Sequence, residues 1–166
     1  VQKWANNPIE TQEKVFRNLI SEASHTVFGK DHDFGNIKNH DDFVKRVPVR
    51  DYEGLKPYVD KVVAGEKDIL WKGKPLYFAK TSGTTSGAKY IPITAESMPN
   101  HVNAARNAIL LYIHETGNSK FVDGKMIFLQ GSPILKEQNG VQLGRLSGIV
   151  AHYVPKYLQK NRLPSW

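Results

Sequence analysis

The chain has 166 residues, 40% of them apolar, which is enough for one domain with a sizeable core. It contains no cysteine, which excludes a disulfide framework, a thiolate metal site and a cysteine nucleophile. Its formal charge is +7, yet no basic run, no signal-peptide pattern and no apolar stretch approaching the roughly 18 residues of a membrane span occurs along it.

In chain order, Val15, Phe16, Leu19, Ile20 and Ala23 recur at helical spacing and, with Gly29 as a stop, predict a helix near 8–27. A short helix follows near 41–46, ended by Pro48. Asp51 caps a third, with Tyr52, Leu55, Val59 and Val62 on one face and Gly65 past its end. Ile69-Leu70-Trp71 and Leu76–Ala79 read as strands around the Lys72-Gly73-Lys74-Pro75 turn, and Lys89–Ile93 as another. A long helix is expected over 95–116, with Thr94 as its cap and Pro99 in the first turns, where a missing N–H costs little. Its Val102, Ala105, Ile109, Leu110 and Ile113 are expected in the core. Lys125–Gln130 reads as a buried strand, Val141–Leu143 as a short one, and 152–161 as a helix. The interleaving of the two element types gives an α/β chain without internal repeats.

Between two of these strands runs Thr81-Ser82-Gly83-Thr84-Thr85-Ser86-Gly87-Ala88-Lys89. Polyphosphate oxygens need many short donors. Glycines let the backbone approach, hydroxyls donate without charge, and a lysine adds a mobile positive charge. The same composition suits a flexible linker, but a linker more often separates domains than joins two short aromatic and β-branched strands. The spacing is not that of the kinase and GTPase P-loop: three residues, not four, separate Gly83 from Gly87, Ala88 precedes Lys89, and Tyr90 follows it. Pro92 forbids immediate passage into a helix, and no G-x-G-x-x-G fingerprint occurs.

The run resembles the phosphate loop of the adenylate-forming superfamily (acyl-CoA synthetases, luciferases and adenylation domains), with the pattern T-S-G-T-T-G-x-P-K. Thr81 to Thr85 and Lys89 match in register, whereas Ser86, Gly87 and Ala88 depart from it. Those departures, with the longer string from Tyr77 to Thr94, resemble the bacterial branch of the auxin-responsive (Gretchen Hagen) acyl-acid amido synthetases. So do Thr26–His32, Phe43–Tyr52, Gly144–Ile149 and Leu163–Trp166, so the resemblance spans nearly the whole chain.

The resemblance implies an enzyme that uses ATP and Mg²⁺ to activate a carboxylic acid as an acyl-adenylate and then joins it to an amino acid. It implies a fold in which a mixed sheet is flanked by helices, the N-terminal part of the adenylating large domain. Members of the family are much longer, and this chain begins at Val1 and stops at Trp166 just after Leu-Pro-Ser. Residues 1–166 are therefore expected to be incomplete and inactive alone, with the rest of that domain, the C-terminal domain and the adenine, ribose and metal residues elsewhere. Lys89 is the candidate catalytic residue, and Thr81, Ser82, Gly83, Thr84, Thr85, Ser86, Gly87 and Lys89 are the candidate nucleotide-binding set. The long helix is implied to line the acyl-acid pocket, which makes Asn103 and Arg106 candidate substrate residues, although Arg106 read by itself is a solvent-facing cation. ATP use places the protein in the cytoplasm, without nucleic-acid or membrane partners.

Other residues carry less. The six histidines show no metal-ligand spacing and read as surface or satisfied structural residues, and no metal ligand is assigned. Asp41-Asp42 could bind a cation but stands where a helix N-terminus favours carboxylates. Ser147 lacks the G-x-S-x-G elbow and has no nucleophilic role. The charge excess lies in 117–166, as Lys120, Lys125, Lys136, Arg145, Lys156, Lys160 and Arg162 against two acidic residues, and reads as a solvated face, or one that pairs with an acidic part of the longer protein. Two alternatives to the amido synthetase are a thioester-forming acyl-CoA ligase and a non-catalytic nucleotide- or nucleic-acid-binding module.

Overall fold

The computed structural model describes residues 2–81, 88–120 and 123–164. They form two units, Val1–Lys74 and Pro75–Trp166.

The first unit is helical: α1 (Gln2–Asn6), α2 (Pro8–Ala23), α3 (Val27–Asp31), a 3₁₀ turn at Phe34–Asn36, α4 (His40–Arg46) and α5 (Tyr52–Val63). Ile20 and Ala23 of α2 are buried with Phe34 and Ile37, and Phe16, Phe28, Phe43, Val47 and Trp71 close around them. The expected helix over 8–27 is in fact two helices. Thr26, 1% exposed, donates its hydroxyl to the Ala23 carbonyl at 2.7 Å and accepts the Gly29 N–H at 2.9 Å, so it turns the chain and caps α3. Gly29 stops nothing. It lies inside α3, where a Cβ would sit 2.1 Å from the Ala23 carbonyl oxygen.

Asn39 caps α4 by accepting from Asp42 N at 2.9 Å, and Asp51 caps α5 by accepting from Gly54 N at 2.8 Å. Val59 and Val62 are buried on the expected face of α5. Ile69-Leu70-Trp71 is not a strand. Its start is tied to α3, with Val27 N donating to the Asp68 carbonyl and Phe28 N to that of Ile69, and Asp68 and Gly73 close the loop on each other. The apolar side chain of Ile69 is buried by this contact rather than by a sheet.

The second unit carries β1 (Tyr77–Lys80), β2 (Tyr90–Ile93), α6 (Met98–Thr116), β3 (Met126–Ile127), β4 (Lys136–Gln138), β5 (Val141–Gly144), α7 (Leu146–Ala151), α8 (Lys156–Gln159) and β6 (Arg162–Leu163). Four strands form a mixed sheet in the order β2-β1-β5-β4, with β1 parallel to β5 and antiparallel to β2, while β3 and β6 pair in parallel as a second sheet. Pro92 is tolerated because β2 is an edge strand. Asn139 and Gly140, both at positive φ, turn β4 into β5. Ala79, Ile93, Met98 and Ile149 form the core, with Tyr77, Val102 and Leu135 against it. The Tyr77 and Tyr153 hydroxyls lie 3.1 Å apart, and burial, reinforced by that hydrogen bond, raises the Tyr153 pKa to about 12.

Three expectations change in this unit. The helix expected over 95–116 with Thr94 as its cap begins later: α6 starts at Met98 with Ser97 at its N-cap and no side-chain cap bond. Thr94 Oγ1 accepts from Ser97 N at 3.1 Å and Ser97 Oγ from Thr94 N at 2.9 Å in the turn before it, while of the expected core residues of α6 Ala105 and Leu110 are exposed and Val102, Ile109 and Ile113 only half-buried. Its apolar residues reach further round the helix than the described elements cover. The buried strand over 125–130 shrinks to β3, with Ile127 75% and Leu129 99% exposed, because β6 is its one described neighbour. The helix over 152–161 is interrupted: α7 has ended before Tyr153, and Pro155 precedes the single turn of α8. No helix among the described residues is long and apolar enough to cross a membrane.

Candidate phosphate site at the end of strand β1

β1 and β2 are in register from Tyr77↔Ile93 to Lys80↔Tyr90, and one step further Thr81 N donates to the Lys89 carbonyl at 3.1 Å. The two ends of the nine-residue run are thus held together at the tip of a hairpin built on an inner strand. Thr81 is exposed and Lys89 half-buried, whereas Ser82, Gly83, Thr84, Thr85, Ser86 and Gly87 lie outside the described residues. The parallel neighbour β5 ends one residue short of β1, with Gly144 beside Ala79. The run therefore leaves from the carboxyl edge of a parallel pair, the edge at which open α/β sheets hold ligands.

The hairpin is a consequence of the sequence on either side. Phe78 is fully buried and Ile93 2% exposed, and these anchor the two strands. Lys80, Thr81 and Ala88 lie exposed just where the apolar pattern stops. A linker would not need its two ends hydrogen-bonded to each other. The fit to phosphate is chemical: a hydroxyl at Thr81 and a lysine at the return point flank a run rich in glycine and hydroxyls.

Asn103 and Arg106 lie three positions apart on α6, and so on one side of it. Asn103 is half-buried and Arg106 exposed, and neither side chain makes a hydrogen bond or ion pair among the described residues. The structure does not bring them into contact with Thr81 or Lys89.

The remaining candidates resolve into local structure. His32 is buried, its Nδ1 2.8 Å from the Phe28 carbonyl and its ring stacked on Phe28, and His152 Nε2 lies 2.8 Å from the Pro133 carbonyl. Asp42 accepts from Lys38 N at 3.1 Å at the start of α4. Ser147 Oγ accepts from Gly131 N at 2.9 Å, a structural bond. Among the described residues no group of three or more His, Asp or Glu is placed to hold a metal. One basic residue departs from the solvated face expected for 117–166. Arg162 is 4% exposed, donates to Gln130 Oε1 and lies 5.3 Å over the Phe128 ring, and burial lowers its pKa. A cavity of about 540 Å³ in the first unit, beside α2 and the start of α4, mixes Glu13 and Asp41 with Arg17 and Lys38 and shares no residue with the phosphate run.

The description "GH3 family N-terminal domain" matches residues 1–163. The chain belongs to the GH3 family. Among its relatives, indole-3-acetic acid-amido synthetase GH3.15 of Arabidopsis thaliana is 30% identical over 147 residues, covering 86% of this chain and 24% of that protein. Jasmonoyl--L-amino acid synthetase JAR4 of Nicotiana attenuata is 23% identical over 80% of this chain and 23% of its own length. The solved GH3.15 acyl acid amido synthetase shares the fold, with a TM-score of 0.77 over 92% of this chain and 28% of that chain at 24% identity. AtGH3.15 acyl acid amido synthetase in complex with 2,4-DB gives a TM-score of 0.68 over 81% of this chain and 24% of that one at 27% identity. The mixed α/β fold is thus that of GH3 enzymes over part of their length, and the chain spans about a quarter of the GH3 relatives it matches.

Proposed function

We propose that residues 1–166 are the N-terminal part of the adenylating large domain of a GH3 acyl-acid amido synthetase, with the rest of that domain and the C-terminal domain supplied by sequence outside this range. The observation that carries the proposal is the Thr81–Lys89 run, closed by the Thr81 N to Lys89 carbonyl bond at the carboxyl end of β1.

In this reading the carboxylate of an aryl or indolyl acid attacks the α-phosphorus of ATP and pyrophosphate leaves. An amino-acid amine then attacks the acyl carbon, AMP leaves, and an amide forms. Two anions must meet in the first step, so the protein's task is positioning and charge neutralisation. Lys89 and the donors from Thr81 to Gly87 hold the β- and γ-phosphates, where charge grows as pyrophosphate departs. Asn103 and Arg106 serve the acyl acid from α6. Mg²⁺ is expected with ATP, but the described residues offer no carboxylate cluster for it, and no step here runs through the metal. Residues 1–166 alone are inactive in this account, and the dependence on ATP puts the whole protein in the cytoplasm.

The relatives named for indole-3-acetic acid and jasmonoyl conjugation support the amide-forming reading over the thioester-forming one. The test uses the full-length protein with ATP, Mg²⁺ and a carboxylic acid, to which an amino acid or coenzyme A is added. Release of AMP should depend on the amino acid. Release that depends on coenzyme A instead would make the protein a thioester-forming ligase.

A further inference from the structure

We infer that Arg145 is a second phosphate-binding cation of the site, placed across from the Thr81–Lys89 run by the β1–β5 pairing. The inference rests on the phosphate-loop reading given above. Gly144, the last residue of β5, lies beside Ala79 in the parallel register, and Arg145 keeps extended backbone (φ −77°, ψ 146°) before α7 begins. It therefore continues the line of β5 one residue past the register, next to the point at which β1 passes through Lys80 into Thr81. Adjacent strands are about 4.8 Å apart, so the backbone of Arg145 lies about one strand spacing from that point.

The stem of this arginine is held. It lies on Gly131 so closely that a Cβ there would stand 2.6 Å from Arg145 Cβ and 2.9 Å from its Cδ. Gly131 is itself fixed by donating to Ser147 Oγ at 2.9 Å, and Gly148 lets the same turn of α7 approach the Ser132 carbonyl, to which a Cβ would come within 2.2 Å. The sequence Gly144-Arg145-Leu146-Ser147-Gly148 thus clamps the root of one exposed cation.

The head of that cation is not neutralised by the protein. Arg145 is exposed and its guanidinium has no hydrogen bond or ion pair among the described residues, and Asp123 and Glu137 are the only acidic residues in 117–166. A guanidinium anchored at its stem, beside a run suited to polyphosphate, is matched to phosphate oxygens, which accept its planar fork in pairs.

Arg145→Gln tests this in the full-length protein, because glutamine keeps a three-carbon stem to rest on Gly131 and removes the charged guanidinium. MgATP binding by calorimetry should weaken about tenfold, Arg145→Lys should recover part of the loss, and the KM for the carboxylic acid should stay within twofold. Thermal melting checks that each variant is folded. MgATP affinity within twofold of the parent would overturn the inference, and a rise confined to the KM of the acid would also overturn it by assigning Arg145 to the carboxylate. Lys89→Ala, run in parallel, separates the two readings. If it impairs adenylation while Arg145→Gln leaves MgATP binding intact, only the role of Arg145 falls. If neither change has an effect, the phosphate-loop reading falls with it.

Discussion

At the scale of single residues, Lys89 and Gly83 should fail in different ways. A lysine charge acts most strongly where negative charge develops, on departing pyrophosphate, so Lys89→Ala should lower kcat for adenylation on the order of a hundredfold with a smaller change in the KM for ATP. A side chain at Gly83 blocks backbone approach to phosphate, so Gly83→Val should damage ATP binding itself. Initial-rate kinetics on both variants check the division, and parental values in two folded variants would remove the run from the site. Lys89 stands out in the sequence as a candidate because the pattern that proposes it is local, carried by nine consecutive residues. Arg145 stood there among seven scattered basic residues and within the Gly144–Ile149 stretch, without a role, because the role proposed for it rests on a register between β1 and β5 that no local pattern encodes.

At the scale of elements, the α2–α3 junction gives the sharpest expectation. Thr26 satisfies one donor and one acceptor at a buried turn, and its loss as Thr26→Ala should cost about 1–2 kcal/mol. Gly29→Ala should cost more, about 3 kcal/mol or above, because the obstacle 2.1 Å from the new Cβ is a backbone carbonyl that no rotamer change can move. Hydrogen exchange over residues 20–32 of the full-length protein should accelerate in both variants and further in Gly29→Ala. Unchanged protection in Gly29→Ala would contradict the packing described. The same junction shows what the sequence withheld. The cap at Asp51 was readable, since its side-chain oxygen acts within three residues of itself, whereas Thr94 closes the turn ahead of α6, whose N-cap is Ser97. The break after Ala23 was not readable, because Thr26 and Gly29 continue no apolar period and Gly29 looked like a stop. Ile69-Leu70-Trp71 has strand-like composition, yet its burial comes from tertiary contact with α3. The Asn139-Gly140 turn and the α7 helix were passed over, the second because its six residues are short for periodicity to show.

At the scale of the whole molecule, the α/β class and the run's position between two strands were legible, whereas the burial of α6 and β3 was misread. Both are apolar in sequence, and both leave large side chains exposed, with Leu111 at 60% and Ile127 at 75%. Apolar pattern reports that a surface avoids water, not which other surface covers it. The coverage of GH3 relatives, about a quarter of their length, gives the scale on which the proposed activity must be measured, namely the full-length protein. The most direct measurement is carboxylate-dependent exchange of labelled pyrophosphate into ATP, with Mg²⁺ and a panel of aryl and indolyl carboxylic acids. An adenylating enzyme built on the Thr81–Lys89 site runs its first step reversibly, so exchange should appear with at least one acid and vanish without it. A protein that binds MgATP but shows no exchange with any acid would contradict the account.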